Sequence, residues 1–379
     1  MEFRHPRRVV WLFGGLLIGM QAAFWLLPRA DTAPLEKRVL AEPPVWTAAS
    51  VADGSAFADA ERYVADHFPG RAFWVGAQAY LEQAEGRNAV GDIVRGRDGW
   101  LFPAPVSGTD TRTLESNLQV LTLFASRQRA RVTLMAVPSA GAVVEGRLPR
   151  LHPSYPDAAL LEETRRLVQG SMEWVDVYDE FRAAEDPEEL YYRTDHHWTS
   201  EGAYRAYCKL VRAWGGVPAP QERFAVEQVT DFYGTSYAKS GLWMTPPDTM
   251  ELWGDPKLQV RTEVYDANRP AAVQQDGLFF RAYLQQPDKY AVFLSGNHAR
   301  VHIETNAPDH RRLLVIKDSY AHALAPFLAE EFREIDLIDL RYFKRETVSE
   351  WLREHPADEI LFVYGIGSLT EDKSLQWLA

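Results

Sequence analysis

From Leu313 to Tyr364 the sequence alternates between two periods. Apolar runs of strand length at Leu313–Lys317, Ile335–Leu340 and Glu359–Tyr364 are separated by helical spacing at Ala321–Phe332 and Thr347–Glu354. The same alternation occurs earlier: a helical stretch through Leu114, Leu118, Leu121 and Phe124, a β-rich run at Arg131–Pro138, a helix at Ala158–Val168 and a strand at Met172–Tyr178. Strands that take turns with helices predict an α/β fold with a parallel sheet flanked by helices. Between Phe224 and Thr305 the helical period disappears and aromatic and turn residues take over, which predicts an irregular, partly β insertion over one end of that sheet. Ligands of open α/β sheets bind at the carboxyl ends of the strands, so chemistry is expected just after the runs named above.

The N-terminus sets the compartment. Arg4, Arg7 and Arg8 precede Val9–Leu27, a run of 19 residues whose strongly polar member is Gln21. That length approaches what a helix needs to cross hydrocarbon, and basic residues in front place residues 1–8 in the cytoplasm. A cleaved signal peptide is the alternative; either way the body of the chain works outside the cytoplasm. Residues 28–55, rich in Pro, Ala and acidic side chains, read as a linker, and 56–379 as the main domain. Helical spacing over Ala56–Glu85, interrupted at Phe68-Pro69-Gly70, predicts two helices capping it.

A formal net charge of −12, with 41 Lys and Arg against 53 Asp and Glu, argues against nucleic acid as a partner. The single cysteine, Cys208, excludes an intramolecular disulfide and a thiolate metal cluster. Its place inside an amphipathic helix reads as a small buried hydrophobe. No Gly-rich phosphate loop is present, and no metal or other cofactor is expected.

Two short motifs carry chemistry. In Thr194-Asp-His-His-Trp198, Asp195 and His197 are two apart, so an extended segment would project both to one side, where a carboxylate can fix an imidazole's tautomer. Thr199 or Ser200 then caps a helix that Gly215 ends. A structural Asp cap with core histidines is the plain alternative. A metal site is a weaker one, because adjacent histidines on an extended strand point opposite ways. In Lys317-Asp-Ser-Tyr320 a buried-strand pattern stops and a helix begins, which puts Ser319 on a strand-to-helix turn with its Oγ exposed and backbone N–H groups nearby. An ordinary serine N-cap is the alternative there.

Beyond these two motifs lie Asp66-His-Phe-Pro-Gly-Arg71, Gly96-Arg-Asp-Gly-Trp-Leu-Phe102, Phe232-Tyr-Gly-Thr235, Lys239-Ser-Gly-Leu-Trp243 and Leu294-Ser-Gly-Asn-His298. Together they resemble the bacterial DHHW protein family and the SGNH-hydrolase-like proteins that O-acetylate alginate. The resemblance covers most of the chain outside the apolar run. It implies Ser319 as nucleophile, His197 as general base and Asp195 as its orienting partner, with the motif order permuted relative to common SGNH hydrolases. Lys317 stands where those hydrolases carry Gly, and Tyr364-Gly365 where the family often carries Asn. Gly296 and Asn297 are candidates, beside the Ser319 amide, for oxyanion donors, and a plain β-turn is the alternative. His298 reads as structural.

With 12 Trp and 16 Tyr the chain is rich in rings that stack on sugars. Trp198, Tyr191, Tyr233, Tyr237 and Trp243 are candidate substrate contacts, against core packing for each. The resemblance implies an extracytoplasmic O-acetyltransferase acting on a cell-surface polysaccharide, supplied by a membrane-bound acyl-channelling partner. An acetylesterase of the same glycans and a non-catalytic polysaccharide-binding protein are the rival readings.

Overall fold

The computed structural model describes residues 6–266 and 271–378, so Arg4 of the basic cluster lies outside the described residues. They divide into two compact units: residues up to Arg87 together with Gly241–Met244, and Asn88–Ser240 with residues from Thr245 onward.

The smaller unit begins with helix α1 (Pro6–Leu26) and contains α2 (Ser55–Asp66) and α3 (Arg71–Ala84). Within α1, Arg7–Leu26 is long and apolar enough to cross a membrane, with a mean hydropathy of 1.8. The stretch 28–55, read as a linker, holds a two-stranded hairpin (Thr32–Ala33 with Arg38–Val39) and a turn of helix at Ala48–Ala52 capped by Thr47. Ion pairs tie it down. Arg38 Nη1 donates to Asp66 Oδ2 at 2.8 Å and Arg71 Nε to Glu36 Oε1 at 2.9 Å. The Asp66–Arg71 motif thus clasps the hairpin on both sides of the Pro69-Gly70 turn.

The larger unit is built on an eight-stranded sheet. Its strands in chain order are β1 (Arg131–Val137), β2 (Glu173–Val175), β3 (Val260–Tyr265), β4 (Val273–Asp276), β5 (Arg300–Thr305), β6 (Arg312–Lys317), β7 (Glu334–Ile338) and β8 (Glu359–Gly365). They lie in the order β4-β3-β5-β7-β6-β8-β1-β2, and β7, β6, β8, β1 and β2 are mutually parallel. Helices α4 (Arg112–Ser126), α5 (Asp157–Val168), α6 (Ser200–Ala213), α8 (Ala321–Leu328) and α9 (Val348–Glu354) follow the predicted spacing, with α8 ending earlier than expected, while the short α7 (Thr235–Ser240) lies inside the insertion, where the sequence has no helical period. Both faces of the parallel strands are buried: Leu313 and Val315 pack into one hydrophobic cluster, Leu314 and Ile316 into the other. That is why these strands read as continuous apolar runs.

The insertion differs from expectation. Three of its strands, β3, β4 and β5, extend the sheet edge antiparallel instead of lying over one end, while Ala225–Phe232 and Asp248–Gly254 form a separate ribbon. In β3 and β5 burial alternates, as expected of antiparallel strands with one covered face.

Asp336 of β7 fastens this edge. Fully buried, it accepts from Arg300 Nη1 (2.9 Å) and His302 Nδ1 (3.0 Å) of β5 and from Arg312 Nη2 (2.7 Å) of β6. Burial opposes its charge, but His302 and Arg312 outweigh it and the pKa falls below the ordinary 3.8. The stability it contributes is therefore present above that value and lost as pH falls through the lowered pKa. Asp336→Ala strands two arginines, so a loss of about 3–5 kcal/mol is expected, read as a lower urea midpoint at neutral pH.

Candidate active site

The Asp-His-His-Trp run sits on a tight loop, not on an extended segment. Tyr191 and Trp198 pair across its base, Thr199 N–H donates to the Leu190 carbonyl at 2.9 Å, and residues 193–197 bend between them. Two buried aromatics pin this base to the sheet. Tyr191 Oη donates to the Pro138 carbonyl just after β1 (2.7 Å), and Trp198 Nε1 to the Tyr320 carbonyl just after β6 (3.0 Å). Asp248 holds the loop from the other side, accepting from the amide and hydroxyl of Thr194 at 2.8 and 2.6 Å. Thr194 Oγ1 in turn accepts from Gly234 N–H, and the Thr194 carbonyl from Tyr237 N–H.

This scaffold fixes Asp195. Its Oδ1 accepts from both the amide (2.9 Å) and Nδ1 (2.6 Å) of His197, and its Oδ2 from Thr235 N–H at 2.6 Å. A carboxylate that only accepts requires the proton on Nδ1, which leaves the Nε2 lone pair of His197 to receive the Ser319 hydroxyl, 2.7 Å away. Asp195 and His197 are buried, and Tyr290 lies flat on the imidazole with ring centroids 4.0 Å apart. Ser319 itself is half-buried at the turn between β6 and α8.

Asp318 shapes that turn. Its Oδ1 accepts from Tyr320 N–H, and its Oδ2 from Gly365 N–H (2.8 Å) and the Ser368 hydroxyl (2.7 Å). The Tyr320 ring comes so near Gly365 that a Cβ there would lie 2.7 Å from it. Lys317 does not crowd Ser319. Its buried ammonium points away from it, 2.6 Å from His322 Nε2 and 3.6 Å from Asp339 Oδ2.

Sequence reasoning misplaced several side chains. The imidazoles of His196 and His197 do not point apart; the bent loop brings their centroids to 3.8 Å. Together with Asp195 they place candidate metal-ligand atoms within 4.8 Å, yet an ion there would replace the Asp195–His197 hydrogen bond if it took Nδ1 or the His197–Ser319 one if it took Nε2. His196 Nδ1 instead meets the Thr235 hydroxyl at 2.7 Å, and burial and the neighbouring His197 hold its pKa well below the ordinary value. Trp198 and Tyr191 are core residues, not sugar platforms, because their polar atoms are spent on backbone carbonyls. Tyr237 is buried against the half-exposed Tyr233, and Trp243 belongs to the smaller unit, donating to the Ala72 carbonyl.

Among the oxyanion candidates, the Ser319 amide makes no hydrogen bond among the described residues. The Gly296 amide donates to the Phe293 carbonyl, and exposed Asn297 meets Arg341 Nη2 through its Oδ1. The Gly296 amide is thus spent on its own turn, while Asn297 is held through its carbonyl oxygen by Arg341 from outside it.

A groove of about 630 Å³ opens beside the triad at the carboxyl ends of β1 and β8, lined by His196, Thr235, Ser236, Lys239, Tyr320 and Arg341 among others. Residues 93–296, more than half of the chain, match the family described as SGNH hydrolase-like domain, acetyltransferase AlgX. The chain belongs to this family. Its fold is similar to that of a DHHW family protein from Eubacterium siraeum, with a TM-score of 0.64 and 25% identity over 75% of this chain and 93% of that one. It is also similar to Bacillus cereus PatB1, whose structure carries a sulfonyl adduct, with a TM-score of 0.64 and 19% identity over 76% of this chain and 98% of that one. A search of curated protein sequences gives no match. Family membership makes this an acetyltransferase-type SGNH domain.

Proposed function

We propose that the protein is a membrane-anchored, extracytoplasmic O-acetyltransferase that moves acetyl groups onto hydroxyls of a cell-surface polysaccharide through an acyl-serine. The observation that carries this reading is the unbroken line from Asp195 through His197 to Ser319, with contacts of 2.6 and 2.7 Å.

In the first half-reaction Ser319 Oγ bonds to the acetyl carbonyl carbon while its proton passes to His197 Nε2. The tetrahedral oxyanion faces the Ser319 amide, and collapse expels the donor alkoxide, which takes the proton from Nε2. In the second half a sugar hydroxyl gives its proton to Nε2 and attacks the acyl carbon; collapse breaks the acyl–Ser319 Oγ bond, Oγ takes the proton back from Nε2, and the sugar leaves as its acetyl ester. Asp195 orients the imidazole and stabilises its cationic form throughout. Water in place of the sugar makes the same site an esterase. The groove supports transfer, since its hydroxyl groups and the cationic Lys239 and Arg341 suit a hydroxyl-rich chain. Helix α1 suits an anchor, and a membrane-bound acyl-channelling partner would supply the acetyl groups.

The test is to incubate the full-length protein with an aryl acetate, with and without glycan oligomers, and follow intact mass and product. Acetyl on Ser319 that moves to the oligomer establishes transfer, and acetyl lost to water at the same rate with or without oligomer establishes the esterase. No acyl-enzyme with any donor moves the reading to a binding protein. An aryl sulfonyl fluoride is expected to label Ser319 and block acetyl release in proportion to labelling; labelling elsewhere with activity intact would reject Ser319 as the nucleophile.

A further inference from the structure

Apolar side chains in the smaller unit remain uncovered on the helices that follow α1. Phe57 and Val64 of α2 lie seven residues apart on one face, Phe73 and Leu81 line one face of α3 beside Trp74, and Trp46 packs edge-on against Phe57 with ring centroids 5.5 Å apart. Between 44% (Trp74) and 67% (Phe73) of each of these six residues is open. The opposite faces are covered, with Tyr63 and Asp66 of α2 and Gly76 and Ala79 of α3 buried. An isolated exposed apolar residue needs no explanation; two consecutive helices and the segment before them all exposing large apolar side chains do.

The end of α1 says what covers them. Arg29, three residues beyond the helix, lies over the rings of Phe24 (4.8 Å) and Trp25 (5.8 Å) at the end of α1 and over Tyr63 (4.9 Å) of α2. One guanidinium thus clamps the exit of the apolar helix to α2, so the uncovered faces sit at the height where that helix leaves the bilayer. Trp and Phe at that level, with Glu61, Arg62 and Gln78 among them, are the composition of helices that lie in a membrane interface.

We infer that α2, α3 and the Trp46 segment rest in the outer interface of the lipid bilayer that α1 crosses, so that the protein is seated on the membrane and not merely tethered to it. The inference rests on the anchor reading of α1. The smaller unit has slightly more acidic than basic residues, so the attraction is apolar and should resist salt and require no anionic lipid.

Depth-dependent quenching tests it in the full chain, reconstituted in phosphatidylcholine vesicles. In a Cys208→Ala background, Phe73→Cys, Leu81→Cys and, within α1, Gly15→Cys each receive an environment-sensitive fluorophore. Labels at 73 and 81 are expected to be quenched by shallow spin-labelled lipid, shielded from iodide and blue-shifted, with no change in high salt. Iodide access at 73 and 81 together with deep-lipid quenching at 15 would overturn the interfacial seat while leaving the anchor intact. Iodide access at 15 as well would overturn the anchor reading itself. A second comparison guards against a labelling artefact: Phe73→Glu/Leu81→Glu should leave the melting temperature unchanged and make 74, probed as Trp74→Cys, newly accessible to iodide. Persistent shielding of that label would point to cover by a second copy of the chain and reject the lipid assignment.

Discussion

Ser319→Ala is expected to lower acetyl release from an aryl acetate by on the order of a thousandfold or more, with little change in stability. Among the described residues the Ser319 hydroxyl meets a single side chain, His197 Nε2, and the half-buried site loses that hydrogen bond. His197→Ala should cost as much, and the double variant no more than either alone, because members of a triad act as a unit. Initial rates on the four proteins, with circular dichroism to check folding, complete the cycle. Additive losses, or a Ser319→Ala protein with its rate intact, would mean that Ser319 and His197 do not share one proton transfer.

Gly234→Ala is the second large effect, and it acts without touching the reacting atoms. A Cβ at 234 would lie 2.2 Å from the Asp195 Cβ and 2.5 Å from its Cα, so it meets carbons that have nowhere to go. Both sides are held, Gly234 by its hydrogen bond to Thr194 Oγ1 and Asp195 by the Thr235 amide. The carboxylate must shift, and His197 then loses the partner that keeps its proton on Nδ1. A loss in kcat approaching 10⁴-fold, the order seen when a triad carboxylate no longer sets the tautomer, is expected. Sulfonyl labelling of Ser319 should slow in parallel while the unfolding midpoint falls only modestly. A variant that keeps its rate would show that the loop at 194–198 yields more easily than its hydrogen bonds suggest.

The sheet was legible in the sequence because its central strands are buried on both faces and its helices on one, so two different periods alternate in plain view. The edge strands β3, β4 and β5 were not, since half-buried strands joined by long turns resemble irregular chain. The meeting of Asp195, His197 and Ser319 was legible from two short motifs, although the first sits on a bent loop and not on a strand. Its support was not, because Tyr290, Asp248 and Gly234 come from segments with no helical or strand period, and each contributes a single contact whose partner is fixed only by the tertiary fold. Phe232-Tyr-Gly-Thr235 was visible as a motif, yet only the closeness of Gly234 to Asp195 explains its glycine. The aromatic reading failed at Trp198 and Tyr191 for a related reason: rings beside a catalytic loop anchor it from below as readily as they stack on a sugar from above.

The Asp318 carboxylate receives Gly365 N–H and the Ser368 hydroxyl, so the nucleophile turn leans on the last strand of the sheet. His197 and Ser319 are separated by 122 residues, and the groups that hold the Ser319 turn lie a further 47 and 50 residues beyond Asp318. The His197–Ser319 contact therefore depends on chain well downstream of both motifs, and forms only once β8 has slotted between β6 and β1. Removing the chain from Glu359 onward should leave Asp195, His197 and Ser319 present in sequence and unassembled in space.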